Sequence, residues 1–285
     1  MEKKILLDSI ATIGLNLYDA AIIDDNGMYT RKYQPCNNCN NSYSVAKAFT
    51  VTAIGLLQDD GLLRVDDPIS KFLRLPDRYD KSWENVTIEH ALTHKIGFTT
   101  GFLDIDTEDV LAYPDEDYLN IVLSHPLGYP PGSRFVYSDA AFYLLSRIVL
   151  KASGRELDEV LRERLITPLG FRQIAWSRCP GGHTIGATGL YISSEDMVKL
   201  GWLYVNNGNW NGKQIISQAW VKQVLANGYE FKQVKKTGLY GKGGLFGQML
   251  MFDPEKRVAY AWHGFEKTSN DKCFLDIFLA KLGKK

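Results

Sequence analysis

Residues 42–60 read SYSVAKAFTVTAIGLLQDD, and this stretch decides how the chain is organised. Val45, Phe49, Ala53, Leu56 and Leu57 recur at three- and four-residue spacing, which predicts a helix over 42–59, with Gly61 as its stop. Ser44 and Lys47 stand three apart on it and share a face. A serine hydroxyl attacks a carbonyl only when a neighbour takes its proton. A lysine can be that base when burial or nearby cations bring it well below its ordinary value of about 10.4. The head of an apolar helix would bury the pair and aim backbone N–H groups at Ser44. Ser-x-x-Lys alone is weak, since chance supplies about one in a chain of this length. A second one, 269–272, reads instead as a closing helix with Ser269 as N-cap.

Outward from this helix, strands gather at both ends of the chain. Residues 20–24 and 28–33 flank Asp25, Asn26 and Gly27, a strong hairpin signal. Residues 248–252 and 257–262 flank a second turn at 253–255. Between them lie helical patterns over 87–93, 139–153, 156–165 and 194–207, with Ser193 and Asp196 spaced like a capping box. A last helix is predicted over 270–282. The expected fold class is α/β: an antiparallel sheet flanked by helices, built from both chain ends, with an inserted mainly helical domain. The expected boundaries are 1–41 with 208–285 for the sheet domain, and 42–207 for the helical domain carrying Ser44, Lys47 and Tyr137. A cleft between the two is the natural site.

Lysine plus arginine and aspartate plus glutamate each number 33, so the formal net charge is zero and nothing supports a nucleic-acid partner or an anionic membrane. No apolar run approaches the roughly 20 residues of a membrane span. The N-terminus begins like a signal peptide, but Asp8 and Ser9 interrupt the apolar stretch, so an amphipathic first helix and a cytoplasmic location are expected. Cys36 and Cys39 have metal-ligand spacing, and Cys179 with His183 could complete a zinc set. Free thiols are the expected state, because a tight second pair is missing. Cys273 reads as core. His94 reads as a turn residue, and no Ser-His-Asp order stands out among the five histidines.

From Ser44 onward the text resembles a known family. Residues 44–50 (SVAKAFT), 61–68 (GLLRVDDP), 87–94 (TIEHALTH) with Gly97, 131–139 (PGSRFVYSD), 168–170, 189–194 and 211–213 appear in the order found in the class C β-lactamase, D,D-peptidase and carboxylesterase superfamily. Co-linearity over nearly the whole chain is far more specific than one motif. The resemblance implies a β-lactamase/transpeptidase-like fold. It also implies an acyl-enzyme on Ser44 with Lys47 and Tyr137 managing the proton, where Tyr137 matches the tyrosine of the family's Tyr-x-Asn motif. Asp139 departs from that motif's asparagine. A carboxylate only accepts hydrogen bonds, and beside Lys47 it favours the ammonium form, which leaves Tyr137 more of the proton transfer.

The third family motif, Lys-Thr-Gly or His-x-Gly on a cleft strand, has two candidates. Lys236-Thr-Gly matches by letters; Lys242-Gly243-Gly244 matches by its distance from the following hairpin and is preferred. Leu245 and Ser44 would then supply the oxyanion N–H groups. Lys242 would stabilise negative charge or bind a substrate carboxylate. The expected function is hydrolysis of an ester, amide or β-lactam carbonyl in a small molecule or short peptide, with no metal or organic cofactor implied. The alternative is a non-catalytic binding or sensing module of the same fold.

Overall fold

Residues 17–24 alternate around small and branched apolar side chains, and the strand they form is covered on both faces. The computed structural model describes residues 3–11, 15–77, 79–266 and 274–283. Its strands are β1 (Leu17–Asp24), β2 (Gly27–Lys32), β3 (Asn40–Asn41), β4 (Ile174–Trp176), β5 (Leu190–Ile192), β6 (Asn209–Trp210), β7 (Lys213–Gln214), β8 (Lys232–Gln233), β9 (Tyr240–Gly243), β10 (Met249–Asp253) and β11 (Val258–Gly264). Its α-helices are α1 (Lys3–Ala11), α2 (Ala46–Asp59), α3 (Ile88–Leu92), α4 (Tyr118–Ser124), α5 (Asp139–Ser153), α6 (Leu157–Leu161), α7 (Ser194–Val205), α8 (Gln218–Asn227) and α9 (Phe274–Lys281).

Six strands pair antiparallel in the order β2-β1-β11-β10-β9-β8, so the two chain ends do build one sheet. On one face α1 and α9 bury Leu6, Leu7, Ile10 and Phe278 against Ala20, Ile22, Met251 and Trp262. The Trp262 and Phe278 rings stack at 4.0 Å. On the other face α7 rests on β1, β10 and β11. Gly201 makes the close approach possible: a Cβ there would lie 3.0 Å from both Ala259 and Leu250 side-chain atoms. Helix α7 thus belongs to the sheet's packing, although it falls inside segment 42–207. One apolar core continues from this face through α2 and α5. None of the described helices is long and apolar enough to cross a membrane.

Several elements differ from the sequence reading. The helix expected over 42–59 starts as a 3-10 turn, Tyr43–Val45, before α2 proper. Tyr43 takes a left-handed φ of 49°, which breaks the helix there. The helix expected over 156–165 is α6 followed by a π-helical turn, Arg162–Ile166. The capping box at Ser193 is half formed: its side chain accepts from Asp196 N–H, while the Asp196 carboxylate turns to Lys199 and to the Arg172 N–H. Helices α4 and α8, with N-caps Asp117 and Ser217, lay outside the expected set. Of the predicted last helix, Ser269, Lys272 and Cys273 lie outside the described residues.

Helix α2 is held against α8 at Gly55, where a Cβ would fall 2.2 Å from Trp220 Nε1. Gly55→Ala should therefore destabilise the protein by about 1–3 kcal/mol through overpacking, despite alanine's better helix propensity. A lowered denaturant midpoint at unchanged slope checks this; a stabilised variant would show that Trp220 moves aside freely.

Candidate active site

The chain enters α2 through a fixed turn. Ser42 N–H and Oγ–H both donate to the Leu190 carbonyl at 2.8 Å, and Tyr43 N–H donates to Asn41 Oδ1 at 2.9 Å. This pins the strained Tyr43 and presents Ser44 at the cleft, partly exposed. One turn later Lys47 is wholly buried. Its three N–H donors are all used: Ser44 Oγ at 2.9 Å, the Ala187 carbonyl at 2.9 Å and Asp139 Oδ1 at 2.7 Å. Burial alone disfavours the ammonium, but the Asp139 carboxylate, with Tyr137 and Glu230 behind it, outweighs burial and raises the Lys47 pKa above the usual lysine range. This is the effect expected of Asp139 on Lys47 as a base. Asp139 holds it as a cation, and an ammonium has no lone pair to take a proton.

Tyr137 precedes α5, and its neighbours hold it in place. Val136 N–H donates to the His94 carbonyl at 2.8 Å, Ser138 N–H donates to His94 Nδ1 at 3.3 Å, and the His94 ring lies 4.5 Å from the Tyr137 ring. The Tyr137 hydroxyl donates to Ser44 Oγ at 2.9 Å. From β9, Lys242 Nζ donates to the same hydroxyl at 3.2 Å. Lys236 sits exposed in the turn between β8 and β9 at φ 56°, so Lys242 is the lysine that meets Ser44's neighbours. Gly243 ends β9 opposite Met249. Gly244 N–H donates to the Gln248 carbonyl at 2.8 Å, and its Cα passes so near the nucleophile's turn that a Cβ would lie 2.5 Å from the Ser42 carbonyl oxygen. Leu245 follows, with its side chain about half exposed; its N–H makes no hydrogen bond among the described residues.

Two site residues were missed or underread. Glu230, in the link from α8 to β8, is buried and forms an ion pair with Lys242. His94 Nε2–H donates to its other oxygen at 2.7 Å. Burial opposes Glu230's charge, yet Lys242 and His94 hold its carboxyl well below the usual carboxylate range. Burial, stronger than the pull of Glu230, lowers the His94 pKa and keeps the ring neutral. Both residues have left-handed backbones, φ 55° at His94 and φ 60° at Glu230. Such conformations cost about 1–3 kcal/mol each and persist where surroundings impose them. Glu230 belongs to no motif, so nothing local in the sequence marks it; His94 lies within a quoted segment, but its partner is 136 residues away.

Asp104, Asp106 and Asp139 carboxylates lie within 4.8 Å of one another, the one grouping with metal-ligand spacing among the described residues. Lys47 already supplies a cation to it, and Asp106, bonded by Thr188 Oγ–H, is pushed up by burial. The sulfur set does not assemble. Cys36, Cys39 and Cys179 are free; Cys39 turns to Gln173, Cys179 to Tyr143, and His183 to Glu156 at 2.7 Å. His263 does meet a serine and an aspartate, but not as a hydrolytic triad. Ser194 Oγ–H donates to Asp19, the same Oγ lies 2.8 Å from His263 Nδ1, and all three are buried. A recess of about 460 Å³ beside Asp19 and Ser194 is lined by none of the Ser44 site.

Comparison with known proteins places the fold. The chain is 33% identical to penicillin-binding protein 4 of Amycolatopsis lactamdurans over 136 residues, 46% of this chain and 34% of that one. It spans between 34% and 64% of the length of three curated relatives it matches. The octameric penicillin-binding protein homologue from Pyrococcus abyssi superposes with a TM-score of 0.75 at 20% identity, covering 100% of this chain and 78% of that one. The β-lactamase/D-alanine carboxypeptidase from Yersinia pestis, complexed with citrate, gives 0.73 at 18% identity over 99% and 100%. At these identities the structures show a shared fold. The family model described as Beta-lactamase matches residues 20–271, and the chain belongs to that family.

Proposed function

We propose that the protein is a serine hydrolase that cleaves an ester, amide or β-lactam carbonyl through an acyl group on Ser44. The observation that carries this reading is that Ser44 Oγ accepts hydrogen bonds from both Lys47 Nζ and the Tyr137 hydroxyl, each at 2.9 Å. In the proposed step Tyr137 first gives its proton to solvent across its exposed edge; the phenolate oxygen then takes the Ser44 proton as Oγ bonds to the carbonyl carbon, since Lys47 as an ammonium cannot. Negative charge arising there lies between Lys47 and Lys242, each 4.9 Å from the Tyr137 ring centre. The Ser44 and Leu245 N–H groups take the oxyanion. The proton returns to the leaving group, and water, activated along the same path, frees the acid.

A second reading, a binding module without turnover, is favoured by one observation: Asp139 holds Lys47 as a cation. One experiment separates them. The protein is incubated with a fluorophosphonate and, separately, with a penicillin, and adducts are mapped by mass spectrometry. The hydrolase reading expects the fluorophosphonate on Ser44. An adduct elsewhere, or none, overturns it, and reversible penicillin binding without an adduct supports the binding module.

A further inference from the structure

Lys242 stands where a cation would take a substrate carboxylate, but its charge is already answered. Glu230 is buried, with its side chain 3% exposed, and is the partner of the Lys242 ammonium. A lysine ammonium has three donors. One goes to Glu230 and one to the Tyr137 hydroxyl, so a single N–H remains for a ligand. His94 does not share the burden of neutralising Glu230. It accepts the Ser138 N–H at Nδ1 and donates from Nε2, which is the neutral tautomer, and so it adds a hydrogen bond without a charge. The Glu230–Lys242 pair therefore sums to zero, as does Asp139–Lys47, and the nearby half-buried Asp106 offers an incoming anion no attraction. Lys232, over the exposed Phe135 ring at 4.5 Å, is itself exposed and screened by solvent.

We propose that Glu230 sets the charge preference of the Ser44 site: by engaging the Lys242 ammonium it withdraws the cation that would anchor a carboxylate, so the site prefers neutral acyl donors to carboxylate-bearing ones. This rests on the hydrolase reading above. Glu230 acts through Lys242 and touches no reacting atom, so it is a specificity-determining residue rather than a catalytic one. The Glu230 carboxylate is held in this place by Lys242 on one oxygen and by His94 Nε2–H, at 2.7 Å, on the other.

The test compares mono-p-nitrophenyl glutarate with its methyl ester, which differ in the distal charge and by one methyl group. The wild-type chain is expected to favour the methyl ester in kcat/KM by about tenfold or more, the scale on which one neighbouring charge acts. Glu230→Gln should narrow or invert that ratio by about tenfold, because an amide cannot neutralise Lys242. A merely structural role would lower both rates and leave the ratio unchanged, and that outcome in a folded variant overturns the proposal. If Glu230→Gln does not fold, the wild-type ratio decides alone: preference for the carboxylate ester, or a rate on it that climbs relative to the methyl ester as salt is lowered, overturns it. An adduct on Ser44 with the wrong charge preference sinks this proposal alone; no fluorophosphonate adduct sinks the hydrolase reading beneath it.

Discussion

Tyr137→Phe is expected to slow acylation of Ser44 by about 10²- to 10⁴-fold, the range of a positioned acid–base group. The reason is the state of Lys47. With Asp139 at 2.7 Å and every N–H engaged, that lysine donates to Ser44 and cannot accept from it. The Tyr137 oxygen, 2.9 Å from Ser44 Oγ, is then the remaining acceptor. The variant is clean in other respects. Tyr137 is 41% exposed, so removing its hydroxyl leaves no buried polar group unpaired and should not move the melting temperature. The measurement is the second-order rate of acylation by an activated ester, with thermal unfolding as control. A loss under about threefold at unchanged stability would return the base role to Lys47, because a true acid–base group contributes far more.

Asp139→Asn should shift the basic limb of the acylation rate toward lower pH, by about one to three units. The sign follows from the charges. A carboxylate beside an amine favours its protonated form, and here that influence overcomes burial and holds Lys47 up. Asparagine keeps the shape and an acceptor oxygen but removes the charge. Burial then prevails, the amine loses its proton at lower pH, and neutral Lys47 becomes available as a base. Each unit of that change corresponds to about 1.4 kcal/mol in the preference of Lys47 for its charged form. The check is a pH profile of acylation for both proteins on one ester. Coincident profiles would mean that Asp139 does not couple to the reacting hydroxyl. A variant that gains turnover from nearly none would show that Asp139 keeps the natural chain a binder.

Much of this site was legible because its parts are local. Ser44 and Lys47 share a helical face three residues apart, and Tyr137 and Asp139 sit at a helix start that the sequence itself marks. Lys242 could be chosen over Lys236 because the strand hairpin after it fixes where a cleft strand must end. Glu230 was not legible. It is buried by elements from across the fold, and its partners His94 and Lys242 meet it only after α3, α8 and β9 have docked. The 3-10 turn before α2 was hidden for a similar reason: the left-handed Tyr43 is imposed by bonds from Ser42 to Leu190, far along the chain. Sequence periodicity reports the face an element buries, not the backbone irregularity that distant partners force upon it.

At Gly244 the edge of the sheet and the turn before Ser44 meet through main chain, with room for no methyl group between them. The cleft is therefore calibrated at its base by two backbones, neither of which has a rotamer to adjust. Around it Phe135 and Leu245 carry exposed side chains, which have rotamers to adjust where the two backbones have none. Tolerance and accuracy are thereby assigned to different materials. A change at the base would have to move main chain, whereas a change at either exposed side chain would not.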